Sequence, residues 1–196
     1  MNASVTQSWA RIESWLAVHA PRTLADLDPP ATAEEIAAAE RAIGLTFPAA
    51  LVESLLRHAG TGRVNMLPLW GLSDPAEIVR EWRLLNGLWN DDADAKARLA
   101  QLDHDAEVDD LMWHPQWIPL GRDYGGGGLV IDLRANGRTG RIGERDRDEG
   151  TLFDDEELWR TSLPALLSEL ARCLETGEQF TGYAPKAEQG ELLWDP

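Results

Sequence analysis

Cysteine and lysine are almost missing from this 196-residue chain, which holds Cys173 alone and only two lysines, Lys96 and Lys186. A single thiol excludes an internal disulfide and a cysteine-based zinc site. Positive charge therefore rests on scattered arginines and is outnumbered, with 18 Lys+Arg against 34 Asp+Glu and a formal net charge of −16. A chain this acidic repels phosphate backbones, which argues against direct nucleic-acid binding. No run approaches the ~18 consecutive apolar residues of a membrane helix. The first nine residues lack the basic cluster and apolar run of a signal peptide. These absences predict a cytoplasmic protein without a membrane partner.

Catalytic and cofactor signatures are also lacking. His19, His58, His104 and His114 stand apart, with no HExxH or H-x-E spacing, so no metal site is predicted. His58 reads as a cation at a helix C-terminus. There is no Gly-x-Ser-x-Gly, and Cys173 falls beside Leu170 and Leu174 as a core thiol. Gly125 to Gly128 leads into Leu129–Leu133, a strand pattern, where a phosphate loop needs Gly-Lys-Ser/Thr and a helix. It reads as a turn with positive φ angles. Asp146 to Glu157 mimics a calcium loop, but Thr151 stands where the sharp turn needs glycine. That segment reads as a solvated loop, and no cofactor is expected.

Periodicity supplies the elements. Val5, Trp9, Ile12 and Leu16 share one helical face, and Pro21 ends that helix. Thr32 to Glu35 is a capping box for a helix that stops at Gly44. Phe47-Pro48 restarts the chain, and the next helix ends before Gly60 and Gly62. Glutamates outnumber arginines across this pair, which argues against a DNA-reading helix-turn-helix. Val64 to Trp70 reads as a short edge strand, and Asp74-Pro75-Ala76-Glu77 opens another helix. Residues 90–110 are polar and acidic, an insertion or mobile loop. Trp117–Leu120, Leu129–Leu133 and Gly140–Gly143 read as strands of one sheet, with Asn136-Gly137 as a hairpin turn. Leu163, Leu166, Leu167, Leu170 and Leu174 form the stripe of a last helix. The tail, residues 179–196, reads as irregular. The abundant alanine reads as compositional bias.

Two acidic clusters are the candidate partner surface. One runs through Asp91, Asp92, Asp94, Asp103, Asp105, Glu107, Asp109 and Asp110, the other through Asp146, Asp148, Glu149, Asp154, Asp155, Glu156 and Glu157. Either they are a solvated surface that aids solubility or a face complementary to a basic protein. Nine tryptophans are present. Trp9, Trp82 and Trp117 are assigned to the core. Trp70, Trp89 and Trp113 stay open, with Trp113 the candidate surface anchor.

The order of motifs resembles the SUKH superfamily, relatives of the fungal Smi/Knr cell-wall assembly regulator. Pro29-Pro30-Ala31-Thr32, Glu34-Glu35-Ile36, Glu40 and Ile43 to Pro48 match its opening. Ala59-Gly60, Leu67-Pro68-Leu69, Trp113 to Pro119, Gly125 to Asp132, Gly137 to Gly143 and Ser162 to Leu167 follow in the family's order. One departure is Gly127-Gly128, where the family usually has Gly-Asp. The resemblance covers residues 29–177 and implies one α+β domain over 1–196, with helices packed on a mixed or antiparallel sheet. It implies a non-catalytic protein-binding domain. The first functional expectation is an immunity protein that neutralises a toxin by stoichiometric binding, its partner a basic protein such as a nuclease. The alternative is a regulatory or scaffolding protein of the cell-wall type, and an uncharacterised enzyme comes third.

Overall fold

The computed structural model describes residues 4–62, 64–89, 111–123, 125–135, 139–153 and 157–196. It opens with α1, Val5–His19, started by a capping box in which the Ser4 hydroxyl accepts the Gln7 amide at 3.2 Å. Val5, Trp9, Ile12 and Leu16 form its buried stripe. Pro21 ends α1 by opening α2, Pro21–Asp26, because proline costs no hydrogen bond in a first helical turn. The capping box at Thr32 and Glu35 starts α3, Ala33–Ile43, and Gly44 closes it at φ +73°. Glu40 then folds back to accept the Phe47 amide at 2.7 Å, fixing the turn into α4, Ala49–Leu55. Asp74 caps α5, Pro75–Trp89, by accepting the Glu77 amide at 2.7 Å. Ser162 caps α6, Leu163–Thr176, and Gly177 stops it at φ +74°.

Five strands form an antiparallel meander in chain order: β1 (Gly71–Leu72), β2 (Trp117–Arg122), β3 (Gly128–Asp132), β4 (Ile142–Asp146) and β5 (Gly150–Leu152). Side chains alternate across the pleat, and both faces are covered. Ile118, Leu120, Leu129, Ile131 and Ile142 join the main core, which includes residues of α1, α4 and α6. Trp117, Val130 and Phe153 pack on the other side against Leu85 of α5 and Trp113. At the end of β3, Asp132 is fully buried and receives the Arg134 guanidinium at 2.7 and 3.0 Å. That guanidinium lies 5.2 Å from the Trp117 ring centre. The helices and antiparallel sheet make this an α+β fold.

Several expectations shift. Residues 64–70 form no strand. Thr61 organises them instead, its hydroxyl donating to the Val64 carbonyl and accepting the Leu72 amide, each at 2.9 Å. The short pairing falls one step later, on β1. The acidic stretch read as a solvated loop contains a hairpin between β4 and β5, turned at Gly150 with φ +104°. The 179–196 tail is a second hairpin, β6 (Ala184–Glu188) with β7 (Glu191–Asp195). Gln189 and Gly190 both have positive φ, 52° and 83°, as a two-residue hairpin turn requires. Leu192 is buried against the main core, and the Leu192 amide donates to the Thr23 hydroxyl at 2.8 Å. The Asn136-Gly137 turn and the 90–110 insertion lie outside the described residues. No helix among the described residues is long and apolar enough to cross a membrane.

The glycine-rich turn earns its glycines mainly by close approach. A Cβ on Gly128 would sit 2.3 Å from the Gly121 carbonyl oxygen, so the family's usual Asp has no room here. Only Gly126 in this run has positive φ.

Unfolding of three variants by urea checks this architecture. Leu166, Leu167 and Leu170 are completely buried, so Leu167→Ala is expected to cost about 2–5 kcal/mol. Gly87 is a helix-interior glycine with open space around its Cβ position. Gly87→Ala is expected to raise stability by about 0.5–1 kcal/mol, while Gly128→Ala lowers it.

Candidate protein-binding groove

Asp91, Asp92, Asp94, Asp105, Asp109, Asp110, Asp154, Asp155 and Glu156 lie outside the described residues. Glu157 is placed, with its carboxylate 3.3 Å from Arg160. Trp113 is not a surface anchor: it is 2% exposed and its indole N–H donates to Asn86 Oδ1 at 3.1 Å. It packs edge-on to Trp117, with ring centres 5.9 Å apart. Trp70 is likewise buried, whereas Trp89 is 38% exposed.

A different feature stands out among the described residues. A groove of about 600 Å³ opens between α3, the start of α5 and the 28–31 connector. Ala38, Ala39 and Ala42 of α3 face Ala76 and Val79 of α5 across it, with Ala31 and Ala59 beside them. Methyl groups leave the space that larger side chains would fill. Pro29, Pro30 and Pro75 stiffen the walls. The remaining lining is acidic, from Asp28, Glu35 and Asp74.

The sequence builds this cleft through motifs that read locally as helix punctuation. The connector is strapped to the end of α4, with the Ala31 amide on the Leu55 carbonyl at 2.9 Å and the Ala59 amide on the Pro29 carbonyl at 3.0 Å. Gly60 lets two walls meet: a Cβ there would lie 2.9 Å from the Leu72 carbonyl oxygen and 3.1 Å from Asp28 Oδ2. Each carboxylate is fixed by an amide of its own chain. Asp28 accepts from Gly62 at 3.1 Å, Glu35 from Thr32 at 2.8 Å and Asp74 from Glu77 at 2.7 Å. The Thr32 backbone bond, then the Thr32 hydroxyl, holds the Glu35 carboxyl below its ordinary range.

His58 anchors the connector from behind. Its Nδ1 lies 3.1 Å from the Asp28 carbonyl oxygen and its Nε2 lies 2.9 Å from Glu13. Arg57 donates to the same Glu13 carboxylate at 2.6 Å. Trp9 stacks obliquely on the His58 ring, 4.8 Å between centres, and donates to the Ser54 hydroxyl at 2.9 Å. Sequence reasoning placed His58 only at a helix end. The contact with Glu13, 45 residues away, has no local signature.

The chemistry that the groove presents is narrow. Among the described residues its lining offers methyls, prolines and fixed carboxylates, with no histidine, thiol or hydroxyl. Cys173 lies elsewhere, buried, where burial and then Glu169 push its thiol up to about 11. The glycine-rich turn offers no free anion nest either, because Asp123 accepts the Gly125 and Gly127 amides at 2.7 and 2.8 Å.

Comparison with known proteins follows this geometry. The model of the SMI1/KNR4 family (SUKH-1) matches residues 30–159, which hold most of the groove. The chain is 35% identical over 86 residues to a KNR4/SMI1 homolog of Eremothecium gossypii, covering 39% of this chain and 13% of that protein. It is 26% identical over 204 residues to a glucan synthesis regulatory protein of Neurospora crassa, covering 85% and 38% respectively. It is 26% identical over 217 residues to the cell wall biosynthesis/cell cycle regulator smi1 of Schizosaccharomyces pombe, covering 96% and 42%. The chain thus spans less than half the length of these relatives.

The strap behind the groove has a pH signature. Arg57, and secondarily His58, hold the Glu13 carboxyl below its usual range. That contribution to stability is complete above the unfolded carboxylate value of about 4.3. It is lost as pH falls through the depressed folded value. Urea midpoints measured from pH 6 downward are expected to fall less steeply below about pH 4.3 for Glu13→Gln than for the wild type.

Proposed function

This chain belongs to the SMI1/KNR4 family (SUKH-1), and from that membership we propose that it is a non-catalytic regulatory module that works by binding protein partners. The observation that carries the reading is the groove itself, an apolar cleft whose described lining combines methyls and prolines with three carboxylates held by hydrogen bonds. Two relatives that align over most of this chain are named as regulators of glucan synthesis and of cell-wall biosynthesis. Their names support a role in controlling envelope assembly over a direct enzymatic one.

A second reading has its own support. The net charge of −16 favours a basic partner, and attraction of that kind speeds association with a toxin in the last few ångströms of approach. In that reading the chain is an immunity protein acting by stoichiometric occlusion.

Deletion of the gene separates the two. The regulatory reading expects hypersensitivity to wall-perturbing agents, restored by the intact chain. The immunity reading expects normal walls and loss of survival beside a strain that delivers the toxin. In either case calorimetry of the purified chain with its partner is expected to give a saturable stoichiometric complex. Turnover of a substrate by the purified chain would refute both.

A further inference from the structure

We infer that the groove between α3 and α5 takes a helical segment of a protein partner, one that presents an aliphatic stripe flanked by arginine or lysine. The inference rests on the protein-binding reading above and gives its site and chemistry.

Shape supports the aliphatic stripe. The volume of about 600 Å³ lies within the ~300–1,000 Å³ usual for preformed ligand sites. Two of its walls are helix faces, and a third helix can lay its ridge of side chains into such a channel. Ala38, Ala42 and Ala76 project only methyl groups, so the bulk at the contact has to come from the partner, as leucine, isoleucine or valine.

Charge supports the flanks. Ion pairs satisfy many carboxylates in this protein, among them Glu13, Glu77, Glu144 and Glu175. Asp28, Glu35 and Asp74 differ. Among the described residues none of the three has an ion-pair partner, and no Lys or Arg lines the groove with them. Their hydrogen bonds run to backbone amides, or for Glu35 also to the Thr32 hydroxyl, and hold the carboxylates in place without neutralising them. An apolar channel with three fixed carboxylates that have no ion-pair partner among the described residues favours a cationic partner and repels an acidic one.

The test is a selection from a displayed library of helical peptides on the intact chain. Fluorescence anisotropy of the enriched peptides then measures affinity. Enriched sequences should carry Leu, Ile or Val at i, i+3 or i+4 spacing with Lys or Arg beside them. Ala38→Arg and Ala76→Arg, at two exposed positions, should each weaken binding by about tenfold or more. The triple variant Asp28→Asn, Glu35→Gln, Asp74→Asn keeps acceptor oxygens for the amides. It should bind several-fold more weakly and with a shallower salt dependence. Circular dichroism establishes that each variant is folded. Selection of acidic or uncharged sequences, equal binding by the arginine variants, or displacement by spermidine at matched concentration would overturn the inference. A natural partner captured equally by wild type and Ala38→Arg would overturn the groove assignment while leaving the protein-binding function standing.

Discussion

The strand Gly128–Asp132 is buried along its whole length, with protein on both faces. A strand so placed needs two covering layers, and the rest of the architecture answers that need. The leucine stripe of α6 packs with α1 and α4 in the core that covers one face. The other face is covered by α5 through Leu85, and by Trp113. Polar groups at the strand's end must also be satisfied without water, because an unpaired buried charge is expensive. Asp132 meets that condition through Arg134, which in turn lies over Trp117 and Phe153. The tightest approach is at the strand's start, where Gly128 and Gly121 touch with no room for a side chain.

The groove follows from the same demand. To reach the second face of the sheet, α5 must cross the molecule with Ile78 in the main core and Leu85 in the smaller one. Its first turn, which begins at Pro75, is thereby brought against α3. Helices that met there through leucines would close the gap. Here they meet through alanines, and the gap stays open. The cleft therefore needs no special loop. It is what remains when one helix commits its larger side chains to the sheet and leaves Ala76 and Val79 facing its neighbour.

How much of this the sequence disclosed depended on the range of the interaction. Capping boxes, the leucine stripe of α6 and the apolar run of β3 are local, and the residues that encode them stand within a few positions of each other. The C-terminal hairpin escaped notice because Gln189-Gly190 lacks the Asn-Gly or Asp-Gly pair that usually marks such turns, and because its strands are mostly exposed and carry little apolar patterning. Residues 64–70 looked extended from their apolar content, yet Thr61 ties them into a turn from outside the window. Trp113 was open because composition does not say which tryptophans a fold encloses. The groove was hidden for a different reason. Its alanines are unremarkable in an alanine-rich chain, and its carboxylates already had a local explanation as caps and turns. Only juxtaposition gives them a second meaning.

Charge distribution completes the connection between fold and recognition. Several of the arginines are spent inside. Arg134, Arg145 and Arg160 are nearly inaccessible, and each is held by carboxylates: Asp132, Glu81, and Glu144 with Glu157. Burial pulls the Arg145 pKa down while Glu81, Asp123 and Asp146 push back. Its guanidinium also accepts a structural task, donating to the Gly126 carbonyl at 2.6 Å and so pinning the glycine-rich turn. Cations used this way sit behind the acids they pair with and contribute little to the outward field. The excess of 34 acidic over 18 basic residues is then felt chiefly from outside. At a Debye length of about 8 Å in physiological salt, an approaching partner senses that field only near contact. Orientation at the last step is therefore set by local features, and the carboxylates fixed around the α3–α5 cleft are local features of the sign that the proposed cationic partner would meet.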